Sequence, residues 1–140
     1  MTATEALGRN VRAGRSLRGM RKQRDLATAM NRLGHKWTDV TVSFVERGKR
    51  KVDVDELASL ALVLGYVVGD LLVPPETERL DVGAITMRPG FVHAWGRGDR
   101  VVLLTWDEEK ATWGTPSILA RRGAQSDFDT QITDIELRNP

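Results

Sequence analysis

Glycines at 34, 48 and 65, followed by the adjacent Pro74 and Pro75, cut the first half of this chain into short segments. Within each segment the apolar residues recur at helical spacing. A chain punctuated in this way can fold only as a bundle of short helices, because each glycine favours a helix end and two prolines stop any helix that reaches them. The spacing predicts five helices over residues 4–73. The first spans about Thr4 to Lys22, with Leu7, Val11 and the stretch Leu17 to Met20 on its apolar side and Gly8, Gly14 and Gly19 weakening it. The second spans about Arg24 to Leu33 with Leu26, Ala27, Met30 and Leu33 in register, and Gly34 as its C-terminal cap. Thr38 is placed to cap a third helix ending near Arg47, with Asp39 favourable in its first turn. A fourth starts near Asp53 and carries Leu57, Leu60, Ala61 and Leu64; a last short one covers Val68 to Leu72.

After the prolines the pattern changes. Short apolar runs alternate with Gly and Asp, and strands are expected over Phe91 to Trp95, Arg100 to Trp106 and Gln131 to Leu137. Asp107 to Lys110 reads as a turn from which Ala111 to Trp113 returns as a hairpin. Gly96-Arg97-Gly98-Asp99 reads as a turn without the strand and helix that a phosphate loop requires. The expected architecture is therefore α+β. A helical domain over residues 1–75 is followed by a small β-rich domain over 76–140, suited to dimerisation or interaction. Trp95, Trp106 and Trp113 are read as a shared core for the small sheet, the alternative being an exposed aromatic surface for a partner.

Charge separates the two parts. Residues 1–75 carry 13 Lys and Arg against 8 Asp and Glu, a net +5, whereas residues 76–140 carry 8 against 11, a net −3. A basic half beside an acidic half directs attention to nucleic acid in the first. The absence of Cys excludes disulfides, thiolate metal sites and cysteine nucleophiles, and fits a reducing, cytoplasmic location. His35 and His93 are the only histidines, so neither metal nor cofactor is expected. No apolar run approaches the roughly 18 residues of a membrane span, and the first residues lack a signal-peptide pattern, so no membrane partner is expected. Enzymatic activity is not expected either. Asp107, Glu108 and Glu109 lie together in a turn, His93 has no triad partner, and Ser117 and Ser126 lack nucleophile context.

Residues 5–73 resemble the lambda-repressor-like, or Xre-type, helix-turn-helix family. The resemblance rests on Leu26-Ala27, on the run Thr41-Val42-Ser43-Phe44-Val45-Glu46-Arg47-Gly48-Lys49-Arg50, and on Leu57 to Gly65 followed by Asp70-Leu71-Leu72, in that order and spacing. It covers about half the chain and implies that the third helix enters the major groove of duplex DNA. On that helix Val42 and Val45 are expected to face the core. Asp39, Val40, Ser43, Phe44 and Arg47 are then turned to DNA, with Thr38 and Thr41 near the groove edge. Gln23 stands where the family has a glutamine that holds a phosphate and braces the reading helix. Lys36, Lys49, Arg50 and Lys51 are placed for phosphate oxygens. Glu46 is read as structural, and Trp37 as a plug between the second and third helices.

The chain also departs from the family pattern. The stretch between Ala27 and Val42 is about five residues longer than in the family's usual form. Phe44 occupies a position where polar or basic residues are common, and is read here as core more readily than as a contact to a thymine methyl. Asp39 is read as a helix-capping residue before a cytosine contact. The resulting expectation is a bacterial or phage transcriptional regulator, a repressor, with duplex DNA as partner and a homodimer formed through residues 76–140. The alternatives are an antitoxin-like interaction module that also autoregulates, and a ligand-sensing regulator with a pocket among the tryptophans.

Overall fold

A computed structural model describes residues 1–104, 106–114, 117–120 and 135–137. The fold is α+β with a helical N-terminal part. Four α-helices, α1 (Ala3–Leu17), α2 (Gln23–Arg32), α3 (Asp39–Glu46) and α4 (Val54–Leu64), precede a 3-10 helix at Val68–Leu72. The ends follow local chemistry. Thr2 and Glu5 form a capping box on α1, and Asp53 accepts from the Glu56 amide at the start of α4. Gly48 and Gly65 close α3 and α4 at φ 67° and 72°, a left-handed conformation that costs a glycine little.

The core of the helical part is built by Leu7, Val11, Leu26, Met30, Trp37, Val42, Val45, Leu60, Leu64 and Leu71. Leu17, expected on the apolar side of the first helix, is instead 81% exposed. The buried stripe of α1 runs through Leu7, Val11, Gly14 and Arg15, and Leu17 lies off it. Two glycines that weaken α1 in isolation are required by packing. A Cβ on Gly8 would stand 2.2 Å from the Val45 carbonyl oxygen, and one on Gly14 would stand 2.5 Å from the Tyr66 ring. The missing side chain at Gly8 lets α1 and α3 touch backbone to backbone, and the one at Gly14 makes room for the Tyr66 ring.

The second half is mixed rather than purely β. β1 (Leu80–Val82), β2 (Ile85–Met87) and β7 (Ile135–Leu137) form an antiparallel sheet in the order β1-β2-β7. β3 (Arg100–Leu103) pairs with β6 (Ser117–Ala120), and β4 (Trp106–Asp107) with β5 (Thr112–Trp113), placing Trp106 opposite Trp113. The strand expected over Phe91 to Trp95 is a helix, α5 (Pro89–Gly96). Pro89 is favoured in a first helical turn, and Phe91, Val92 and Trp95 turn inward at helical spacing while His93 faces solvent. Strict alternation would have buried His93 and exposed Val92. The strand expected over Gln131 to Leu137 is found at Ile135–Leu137; residues 131–134, and Ser126, lie outside the described residues. Trp106 is exposed, so it does not share a core with Trp95, which packs half-buried among Leu80, Met87, Phe91 and Val92.

The two halves meet along one face. Ala6 of α1 is part of the second core, with Met1, Ala3, Leu72 and Val73 packed against it. Gly69 and Gly96 approach so closely that a Cβ on Gly69 would lie 2.3 Å from the Gly96 carbonyl. Asp70 pairs with His93 at 3.2 Å and with Arg97 at 3.4 Å. Asn10 donates from Nδ2 to the Leu71 and Val73 carbonyls, each at 2.9 Å, and satisfies the end of the 3-10 helix from α1.

Candidate nucleic-acid interface

α3 is held on its inner side and open on its outer side. Val42 and Val45 are buried, and Glu46 is anchored by two other helices. Arg15 of α1, itself buried, directs Nε and Nη2 at the two Glu46 oxygens and Nη1 at the Met20 and Arg21 carbonyls. Gln23, the first residue of α2, donates from Nε2 to Glu46 Oε2 at 2.9 Å. One carboxylate thus fastens α3 to both α1 and α2, and satisfies most of the polar groups that burial isolates.

The outer face carries Asp39, Val40, Thr41, Ser43, Phe44 and Arg47. Asp39, Val40, Phe44 and Arg47 are exposed; Thr41 and Ser43 are half-buried. Phe44, read from the sequence as core, is 42% exposed. The Arg47 guanidinium lies over its ring, 4.9 Å from the centroid, while Nε donates to the Ser43 carbonyl. Val40, one turn earlier, is 57% exposed, so the pair makes an apolar strip along α3. Thr38 and Thr41 are engaged in a reciprocal cap. Thr38 Oγ1 accepts from the Thr41 amide at 3.3 Å, and Thr41 Oγ1 from the Thr38 amide at 3.2 Å. Asp39 accepts from the Val40 amide at 2.9 Å, within the first turn.

The connection between α2 and α3 is organised by Asn31 and Trp37. Asn31 Nδ2 donates to the Trp37 carbonyl and its Oδ1 accepts from the Trp37 amide, closing the loop on itself. Trp37 is buried between the helices, and His35 Nε2 lies 2.7 Å from Ser59 Oγ on α4. Lys36 on this loop is exposed. Beyond α3, Lys49 and Lys51 are exposed and, with Lys36, make no ion pair among the described residues.

Arg50 differs from its neighbours. It is half-buried, its guanidinium stacks on the Trp37 ring at 5.4 Å, and it forms a bidentate pair with Glu56 at 2.6 and 2.9 Å. Hydrogen bonding to Glu56 raises its pKa above the ordinary arginine value. Its head group therefore fixes the α3–α4 connection.

Sequence reasoning missed a second surface. An open groove of about 600 Å³ between α1, α2 and α4 is lined by Arg18, Met20, Ala29, Arg32, Leu33, Leu62 and Val63. Leu62 gave a signal that was legible, since it lies off the Leu57, Leu60, Ala61 and Leu64 stripe of its helix. No group of His, Asp or Glu able to hold a metal occurs among the described residues, and none of their helices is long and apolar enough to cross a membrane. Comparison with family models, with curated proteins and with solved structures finds no match.

Proposed function

We propose that this chain is a sequence-specific, double-stranded-DNA-binding transcriptional regulator of the lambda-repressor-like helix-turn-helix type. It acts as a cytoplasmic repressor that lays α3 in the major groove. The observation that carries the reading is the contrast between the two sides of α3. Its inner side is fastened by Val42, Val45 and Glu46, and its outer side presents Val40, Ser43, Phe44 and Arg47, with Val40 and Phe44 exposed and the Arg47 guanidinium of the same face lying over the Phe44 ring. A rigid helix with an open face is what base reading requires, because binding chemistry must be held in place before contact.

In this account Phe44 and Val40 meet thymine methyl groups, and Arg47 reaches guanine O6 and N7 or a backbone phosphate. Lys36, Lys49 and Lys51 neutralise phosphates, while Gln23 and Glu46 hold the reading helix in position. Repression follows from occupancy of a promoter and needs no chemistry from the protein. Exposed Val101, Leu103 and Leu104 on and beside β3 give the C-terminal part an apolar face through which two copies can pair.

Selection from a random duplex pool tests the reading. The expected result is one enriched motif, and two half-sites within it if the chain binds as a dimer. Arg47→Ala is expected to reduce specific binding more than nonspecific binding. A pool without enrichment, bound only weakly and salt-sensitively, contradicts the proposal. The exposed Val40–Phe44 strip would then be read as a protein-binding face, the arrangement an antitoxin-like module needs.

A further inference from the structure

We propose that the groove between α1, α2 and α4 is a docking site for an acidic amphipathic segment of a partner protein. The groove has an apolar floor and a cationic rim. Met20, Ala29 and Val63 are half-buried at its base, while Leu33 and Leu62 are 48% and 76% exposed along it. Neither exposed leucine is needed by the core of its helix, which runs through Leu26, Ala27 and Met30 on α2 and through Leu60, Ala61 and Leu64 on α4. These apolar side chains line one open, shallow groove that a second molecule can cover.

Charge decides which molecule. Arg18 and Arg32 stand at the groove with no ion pair among the described residues, and no Asp or Glu lines it. Both arginines sit at the C-terminal ends of their helices, where the backbone carbonyls favour a cation without neutralising it. A second copy of this chain docked face to face across a two-fold axis would bring these arginines against their own copies in a partly desolvated contact, which like charges oppose. A helix or turn with leucine-type anchors at helical spacing and Glu or Asp between them satisfies both features at once, apolar anchors on the floor and carboxylates on the arginines. The groove shares no residue with the α3 face, so this proposal does not depend on DNA binding.

The test uses the full chain and a fluorescently labelled synthetic helical peptide of roughly twelve residues, with Leu at i, i+3, i+4 and i+7 and Glu elsewhere. Two controls accompany it, the same peptide with Lys for Glu and a scrambled peptide of identical composition. Anisotropy titrations are expected to show saturable binding of the amphipathic Glu peptide alone. Leu62→Glu and the pair Arg18→Glu with Arg32→Glu should each weaken it by at least about tenfold. Arg12→Glu, an exposed α1 position that does not line the groove, should change it less than about twofold. Circular dichroism melts of the Leu62 variant are expected to match the parent, since that side chain is exposed. Absence of saturable binding overturns the proposal. So does equal binding of the scrambled peptide, or equal sensitivity to Arg12→Glu, because either reduces the effect to general charge attraction. Sedimentation that shows self-association lost in Leu62→Glu also overturns it, and makes a second copy the occupant.

Discussion

Replacing Glu46 with Leu should destabilise the fold far more than an ordinary substitution. The Arg15 and Glu46 side chains are both nearly inaccessible, so Glu46→Leu leaves a buried guanidinium with only the Met20 and Arg21 carbonyls, at 2.8 and 3.1 Å, and strands Gln23 Nε2 as well. Breaking a buried ion pair from one side costs about 3–5 kcal/mol. The two remaining carbonyl bonds place Glu46→Leu near the lower end, about 3 kcal/mol. Against a total stability of about 5–15 kcal/mol, that is a large fraction. Arg15→Met should cost a similar amount, because it leaves the carboxylate buried. The double variant removes both charges and fills the space with apolar atoms. It should therefore lie within about 2 kcal/mol of the parent, the residual being the two orphaned carbonyls and the unpartnered Gln23 Nε2. Urea unfolding followed by tryptophan fluorescence gives all four stabilities by linear extrapolation. The expected coupling exceeds about 2 kcal/mol. Additive losses, or a loss below about 1 kcal/mol for Glu46→Leu, would refute the reasoning that this pair fastens α3 to α1.

Three further outcomes follow from local geometry. Gly8→Ala gains about 1 kcal/mol of helix propensity, yet its Cβ meets the Val45 carbonyl at 2.2 Å, so the thermal midpoint should fall; a rise would show that α1 and α3 are not in backbone contact. Hydrogen bonds from the Thr2 amide and hydroxyl lower the Glu5 pKa, so the stabilisation from this cap is present above the unfolded-state pKa and lost as pH falls through the folded one. Melting curves of Glu5→Ala and the parent should accordingly differ at neutral pH and converge in acid, whereas a constant difference would assign Glu5 another role. Arg50→Ala should lower stability but leave the salt dependence of DNA binding unchanged, while Lys49→Ala with Lys51→Ala should flatten it; a flattened slope for Arg50→Ala would return that residue to the phosphate-binding set.

Most helix boundaries were legible in the sequence because they are set locally; the end of α1 was not, since the helix expected to reach about Lys22 stops at Leu17, with Gly19 in a left-handed conformation just beyond it. Thr38, Asp53, Gly48 and Gly65 act through their own backbone and hydroxyl or carboxylate groups, and each ends or starts a helix where the spacing placed it. The inward side of α3 was legible for the same reason, since Val42 and Val45 are three residues apart. Long-range contacts were not. Nothing local distinguishes a glycine that weakens α1 from Gly8, where a neighbouring backbone forbids a side chain. Arg50 sits within a run of three basic residues, and only the fold brings Trp37 and Glu56 to it. Residues 91–95 suit a strand or a helix by composition, and the choice fell to Pro89 and to which of Val92 and His93 the core accepts. Hydrophobicity alone assigns Phe44 to the core, but Val42 and Val45 already fill the inner face of a short helix.

The central claim, that the outer face of α3 meets duplex DNA, is tested most directly by following backbone amide resonances of the full chain as a duplex of arbitrary sequence is added at low salt. The account predicts shifts concentrated at residues 38–47 and at Lys36, Lys49 and Lys51, with Arg18, Arg32 and Leu62 in the groove unmoved. Shifts confined to the groove or to the C-terminal strands, with α3 silent, would contradict it.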